Sequence, residues 1–477
     1  MNLDLARLMA ALPERETDPE IVRKLGKPDA GLGEWPLPGG LVRRLSILGT
    51  LQAKLAAAWL FLWVRGWFQD AEAREQDGIE TRLRLALDVL EAMSYLRGAV
   101  MKAGQFLGSL PEIAPMEFVQ AFERLHFEAP PMHYALIREM LADEIGGEPE
   151  EVFAQFEREA FAAASLGQVH RARLKSGEAA ALKVQYPGIA RAIRADFRMI
   201  LPLLLPSRLS RDGEGMRRIL EYARRAVERE TDYEIEAGVQ ERVRGLFREE
   251  DGIVVPRVFQ AHSSRRVLCM ELLEGIHLDG LLARGPSQAE RDRWGELLMR
   301  AWYRLFYAGR MEYVDWNAGN FLFLPDGRLG LIDFGGVISF TPEEWELMRL
   351  ADRPLTTGRA EDRLDFLRRW SGPMDEEKDA DFIRLADAYM EWSWRPRAAG
   401  GVFDYGDGVD LRRGVDLLLE FLRRRTGRAQ PCSGLITRWE FLYRGLLYRL
   451  GARIDVRRIA EEEIGAAGWD REPYRGV

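Results

Sequence analysis

Residues 313–336 read YVDWNAGNFLFLPDGRLGLIDFGG, and this stretch decides the class of fold. Asp315 is followed five residues later by Asn320, and Asp333-Phe334-Gly335 comes after a turn at Pro325-Asp326-Gly327. Proline presets φ for a turn, while Asp and Gly supply a local acceptor and a free backbone, so the intervening segment is predicted to be a hairpin. Phosphoryl transfer asks for a carboxylate that orients or deprotonates the acceptor, and for oxygen ligands to a Mg²⁺ that bridges phosphates. D-x4-N, a hairpin and then DFG supply that set in the order a kinase uses. DFG alone is a weak signal, and a polar loop with a turn is the plain alternative. The joint spacing favours a nucleotide site.

Working outward, AALKVQ at 180–185 places Lys183 at the end of an apolar strand, where a kinase presents the Lys that grips the α- and β-phosphates. A strand Lys by itself is usually a solvated edge charge. This one follows AFAAASLGQVHRARL (160–174) and a strand–turn–strand pattern around Lys175-Ser176-Gly177. Its acidic partner is expected on ERETDYEIEAGVQ (228–240), with Glu236 the choice and Glu230 and Asp232 as a second acidic pair. A charged helix of this kind is more often a solvated face, so context carries the assignment.

Further out, 1–40 is Pro- and Gly-punctuated and 41–110 has a helical pattern; a long charged helix is predicted at 214–248 and a strand pair at 254–275. Ser287 and Glu290 form a capping box that opens a helix with Trp294, Leu298, Trp302 and Leu305 on its apolar side. Thr341-Pro342-Glu343-Glu344 is a second helix start, and everything after it reads as helical. The order gives an α+β, two-lobed protein-kinase-like fold. The expected divisions are a variable region at 1–78, a helical extension at 79–149, a small β-sheet lobe at 150–275 and a helical lobe at 276–477.

Composition sets the outer limits. The 477 residues are 30% charged and 47% apolar, a globular balance, and the net charge of −8 argues against a general nucleic-acid binder. Cys269 and Cys432 make no disulfide framework, and the five histidines show no zinc spacing. The most apolar run, LAAAWLFLWV at 55–64, is far shorter than the about 20 residues a spanning helix needs. No signal peptide is evident, so the expected location is cytoplasmic or peripheral on the inner face of a membrane. Trp59, Trp63 and Trp67 recur every four residues near Arg43, Arg44, Lys54 and Arg65. That stripe either packs into the core or lies at a lipid headgroup boundary.

One more motif completes a resemblance. MKAGQFLGSLPEIAP (101–115) carries Lys102-Ala103-Gly104-Gln105, a K-x-G-Q signature. Together with the alanine-rich stretch, LKVQYPG, E-x-D, D-x4-N and DFG in one order, it resembles the UbiB/ADCK group of atypical kinase-like proteins, over about residues 85–350. That group is associated with isoprenoid-quinone biosynthesis and lipid homeostasis. The resemblance implies ATP and Mg²⁺ as cofactors and a lipid or quinone-pathway small molecule as partner. It implies that Ala162, Ala163, Ala164, Ser165, Gly167 and Gln168 form an alanine-rich loop over the phosphates, and that Lys183 and Glu236 form the ion pair. Asp315 becomes the catalytic-loop Asp, and Asn320 and Asp333 the metal ligands. Lys102 and Gln105 belong to a helix over the cleft that meets Glu230 and Asp232. Of the 68 basic residues only seven are Lys, and two of the seven fall on these positions.

Alanine seldom reaches the positive φ that glycine offers, so this loop is expected to be stiff, with Gly167 its adaptable point. No A-P-E signature follows DFG, which leaves little room for a peptide-docking segment and favours ATP hydrolysis or a small-molecule acceptor. The family's loop usually reads H-A-D-P-H-P-G-N, against YVDWNAGN here. Tyr313 is therefore expected to replace the packing of the first His but not its imidazole hydrogen bonding, while Trp316, Asn317 and Ala318 stand in place of the Pro-His-Pro that follows the Asp. Two readings stand: a Mg²⁺-dependent ATPase or small-molecule kinase, and a nucleotide-gated binding module without turnover. An antibiotic-type phosphotransferase shares D-x4-N, but K-x-G-Q and the alanine stretch argue against it.

Overall fold

A computed structural model of the chain describes residues 134–191 apart from Ser165, 229–371, 374–375, 377–424 and 433–467. Lys102, Gln105, Ser165, the Trp59–Trp67 stripe and Cys432 lie outside the described residues. The chain forms two compact units that interleave in sequence. One holds Glu157–His170, Lys183–Thr231 and the chain up to Asp143; the other holds Glu144–Phe156, Arg171–Leu182 and everything from Asp232. Strands β1 (Gln155–Phe156), β2 (Ala162–Ala164), β3 (Gly167–Arg173) and β4 (Ala179–Gln185) lie in this region, and β3 and β4 each pass from one unit into the other.

In the first unit the alanine-rich stretch is a strand rather than a loop. Ala162 pairs with Val169, Ala163 with Gln168 and Ala164 with Gly167, antiparallel. Gly167 also differs from expectation. It is not among the positive-φ glycines, and a Cβ there would lie 2.0 Å from the Val184 carbonyl oxygen. What position 167 requires is room for close backbone approach, not conformational freedom. His170, two residues beyond Gln168 and so on the same face, is fully buried. Its Nδ1 meets the Glu157 carbonyl at 2.9 Å and its Nε2 meets the Gln168 amide nitrogen at 3.0 Å. A carbonyl can only accept and an amide nitrogen can only donate, so the proton sits on Nδ1. Burial holds this imidazole below its usual range, which keeps it neutral.

In the second unit the strand order is β1-β3-β4-β6, with β6 at Val267–Glu271. The 254–275 segment does not form the expected simple pair. Instead β5 (Ile253–Val254) runs parallel to β9 (Leu329–Leu331), and only Val258 bridges to Met270. Of the charged helix expected at 214–248, the described part is interrupted at Thr231, because the Asp232 carboxylate accepts the Glu234 N–H and caps a new helix, α1 (Tyr233–Arg244).

Helix α2 (Gln288–Tyr307) is the spine of the helical part, opened by the predicted Ser287–Glu290 capping box. Trp294, Leu298, Trp302 and Leu305 are all buried. Beside α2 lies β7 (Met311–Tyr313), which pairs with β10 (Val337–Ser339), while β8 (Phe321–Phe323) and β9 form the predicted hairpin. Helix α3 (Pro342–Arg349) starts at the predicted Thr341–Glu344 box. Then come α4 (Ala380–Ala399), α5 (Gly408–Arg424), α6 (Ser433–Leu450) and α7 (Val456–Ala466), the last packed along α2. This stretch is not purely helical: β11 (Phe403–Asp404) pairs with β12 (Arg453–Ile454). Among the described residues no helix is long and apolar enough to cross a membrane.

Candidate active site

The site is built on the antiparallel pair β7–β10, in which Tyr313 faces Val337. One step beyond the pair, the Val314 N–H donates to the Gly336 carbonyl at 3.0 Å. A Cβ on Gly336 would sit 2.7 Å from the Cβ of Asp315, so the second glycine of FGG is what lets the DFG main chain lie against the aspartate. The loop then closes on itself. Asn317 Oδ1 accepts the Gly319 N–H, and Asn320 Nδ2 donates to the Asp315 carbonyl at 2.9 Å. The Asn320 carbonyl accepts the Ile332 N–H at 3.1 Å, and Asp333 Oδ1 accepts the Gly335 N–H at 3.0 Å. These bonds bring the chain at Asp315, Asn320 and Asp333 together.

Tyr313 corrects an expectation. Its ring is buried against Trp316 and Phe321, and its hydroxyl donates to the Asp333 carbonyl at 2.8 Å. The phenol therefore supplies a hydrogen bond to DFG as well as packing. Trp316 is buried too, tilted on Phe321 and edge-on to Tyr443. The two aromatic replacements in YVDWNAGN thus form part of the core beneath the loop.

Glu236, in the first turn of α1, is buried and its Oε1 accepts the Phe334 N–H at 3.3 Å. The helix acid therefore contacts DFG directly. Lys183 is buried on β4, in the other unit. Ala162, Ala163 and Ala164 sit on β2, and the Gln168 side chain is buried on His170. Asp232, besides capping α1, pairs with Arg265 at 3.2 Å. Glu230 is half-buried, just ahead of that cap.

Among the described residues no cluster of three or more His, Cys, Asp or Glu side chains offers a metal cage. Mg²⁺ does not need one, since it keeps waters and phosphate oxygens and takes one or two hard protein oxygens. Asn320 Nδ2 is committed to the Asp315 carbonyl, which leaves Oδ1 as the amide's hard oxygen, and Asp333 carries a carboxylate. The donor set fits.

Sequence reasoning missed Glu312. It lies on β7, buried, with its carboxylate accepting Trp302 Nε1–H at 2.8 Å. Burial pushes its carboxyl up to about 8, with Glu440 adding to the rise and the Trp302 donor opposing it. A lone acid inside the apolar run MEYV was the available signal.

Fold and site define a kinase-like protein of mixed α/β build, with a small sheet region and a larger helical region. An ABC1 atypical kinase-like domain matches residues 124–351. The atypical kinase COQ8B of Danio rerio is 30% identical over 348 residues, 71% of this chain and 54% of that protein. COQ8B of Rattus norvegicus is 30% identical over 347 residues, 71% and 64% respectively. The chain thus spans between about half and two thirds of these relatives. A solved structure from Mycobacterium tuberculosis, Rv3197 in complex with erythromycin, superposes with a TM-score of 0.52 at 25% identity, covering 82% of this chain and 98% of that one. This chain belongs to the UbiB/ABC1/ADCK family of atypical kinase-like proteins.

Proposed function

We propose that the protein binds ATP with Mg²⁺ and works as an ATPase or small-molecule kinase in a lipid or isoprenoid-quinone pathway. The observation that carries this reading is the closed hydrogen-bonded set joining Asp315, Asn320 and Asp333 to Tyr313. Asn320 Oδ1 and Asp333 would hold the metal, which when bound neutralises charge across the phosphates. Asp315 orients the attacking hydroxyl or water and takes its proton. Lys183 grips the α- and β-phosphates and pairs with Glu236, whose carboxylate also holds the Phe334 N–H. Ala162, Ala163, Ala164, Ser165 and Gly167 cover the phosphates, and Gln168 stiffens that cover from within through His170. Lys102 and Gln105, with Glu230 and Asp232, close the cleft. Residues 79–149, 150–275 and 276–477 serve as extension, sheet lobe and helical lobe. After DFG the chain passes through β10 straight into α3, which favours a water or small-molecule acceptor over a peptide. Trp59, Trp63 and Trp67 make the peripheral membrane contact.

A second reading, a nucleotide-gated module without turnover, draws on the loop itself, where the Asn317 side chain is turned back onto the Gly319 N–H. Phosphate release from ATP, measured with and without Mg²⁺ and anionic vesicles, separates the two. Metal-dependent release that Asp333→Asn lowers by about 100-fold or more supports the enzyme. ATP binding with no release at any Mg²⁺ concentration sinks it in favour of the module. Faster release on anionic vesicles supports the membrane contact.

A further inference from the structure

We infer that Glu312 is a positioning residue that works as the neutral acid: its carboxyl ties β7 to α2, and its ionisation slackens the strand that presents Tyr313 and Asp315. This rests on the reading of the site as a phosphoryl-transfer centre.

The geometry is specific. Glu312 occupies the middle of the three-residue strand β7, paired with Ile338 of β10. Tyr313, its neighbour, holds the Asp333 carbonyl, and Asp315 lies three residues on. From α2, Trp302 reaches it through the indole N–H at 2.8 Å. From α6 the charged group that faces it is Glu440, a like charge, which takes hydrogen bonds from the Ser393 and Tyr443 hydroxyls and from Arg444. From β10 the opposing residue, Ile338, is apolar. Arg444, the cation on Glu440, also bonds Asp410, and Arg397 of α4 bonds the Tyr307 hydroxyl, over the rings of Tyr303 and Tyr307. The Tyr313 main-chain N–H is a second donor to the carboxyl, yet two neutral donors against full burial and a facing carboxylate leave the group costly to ionise. Burial holding the group up to about 8 agrees with that geometry.

The sign follows from linkage. Unfolded, the carboxyl loses its proton near 4.5; folded, it keeps the proton to about 8. Between those values the native state binds one proton more than the unfolded state, so this group withdraws stability as pH rises through the window. Above pH 8 the buried charge is present, and β7 carries the strain next to the catalytic loop.

The test is the pH profile of Mg²⁺-dependent phosphate release, with Mg²⁺·ATP affinity measured alongside. Wild type is expected to lose about tenfold in turnover between pH 7 and pH 9, following a single ionisation. Glu312→Gln, which cannot ionise, should show no such alkaline limb and should melt higher than wild type by a margin that grows from pH 5 to pH 8. Trp302→Phe removes the donor that favours the charged form, so its limb should move to higher pH; it serves if the amide variant folds poorly. A wild-type profile flat through pH 9, or a limb shared unchanged by Glu312→Gln, overturns the inference. A wild type that neither binds Mg²⁺·ATP nor releases phosphate at any pH instead overturns the phosphoryl-transfer reading, and the inference falls with it.

Discussion

Tyr313 shows what a single side chain contributes here. Its hydroxyl is the link from the strand before the catalytic loop to the main chain of Asp333, and the buried ring fixes where that hydroxyl points. Tyr313→Phe deletes the hydrogen bond and keeps the packing. A net hydrogen bond is worth about 1 kcal/mol, and if it acts mainly in the transition state the cost is about fivefold in kcat. We expect that loss with metal-free ATP affinity unchanged, measured by phosphate release beside equilibrium nucleotide binding. An equal fall in metal-free affinity, with kcat intact, would place the residue in ground-state binding instead. Asp315, Asn320 and Asp333 were legible in the sequence because local spacing constrains them. The Tyr313 bond was not, since its partner is 20 residues away across a hairpin whose register the sequence leaves open. Glu312 left only a faint signal, a lone acid in an apolar run, because packing is what turns an ordinary acid into a buried one.

At the scale of elements, punctuation proved more readable than pairing. The capping boxes at Ser287 and Thr341 and the turn at Pro325-Asp326-Gly327 were found because each depends on residues within three or four positions. The partner of β5 depends on a strand 76 positions away in register, Ile253 against Leu329, and no local pattern records that. Alanine misled for another reason. The resemblance implied a loop over these alanines, yet β2 is held by its ladder with β3. Position 167 makes the consequence testable. A methyl group there would meet the Val184 carbonyl, its carbonyl carbon at 2.8 Å and the Gln185 Cα at 3.0 Å, all of them backbone atoms that cannot swing aside. Gly167→Ala should therefore destabilise by about 1–3 kcal/mol. Denaturant unfolding checks it, and a change below about 0.5 kcal/mol would mean the strands separate freely at that point.

For the molecule as a whole, what binds the C-terminal helices together was not legible beyond their apolar periodicity. Arg444, only 2% exposed, lies at the centre. It bonds Asp410 of α5 at 2.7 Å, Glu440 of its own helix, and the Trp392 and Ser393 carbonyls of α4, with its guanidinium 4.2 Å from the Trp392 ring centroid. One cation therefore satisfies acceptors from three helices in a region that also supplies Glu440 to the Glu312 environment. Removing one member of such a buried set is far worse than removing all of it, because the remaining charges lose their compensation. Arg444→Met should cost about 3–5 kcal/mol, while combining it with Asp410→Leu and Glu440→Leu should recover much of that loss. Calorimetric melting of the single and triple variants compares them. A single variant within about 1 kcal/mol of wild type would show that water reaches the cluster and screens it, and the interior would then be polar by solvation rather than by pairing.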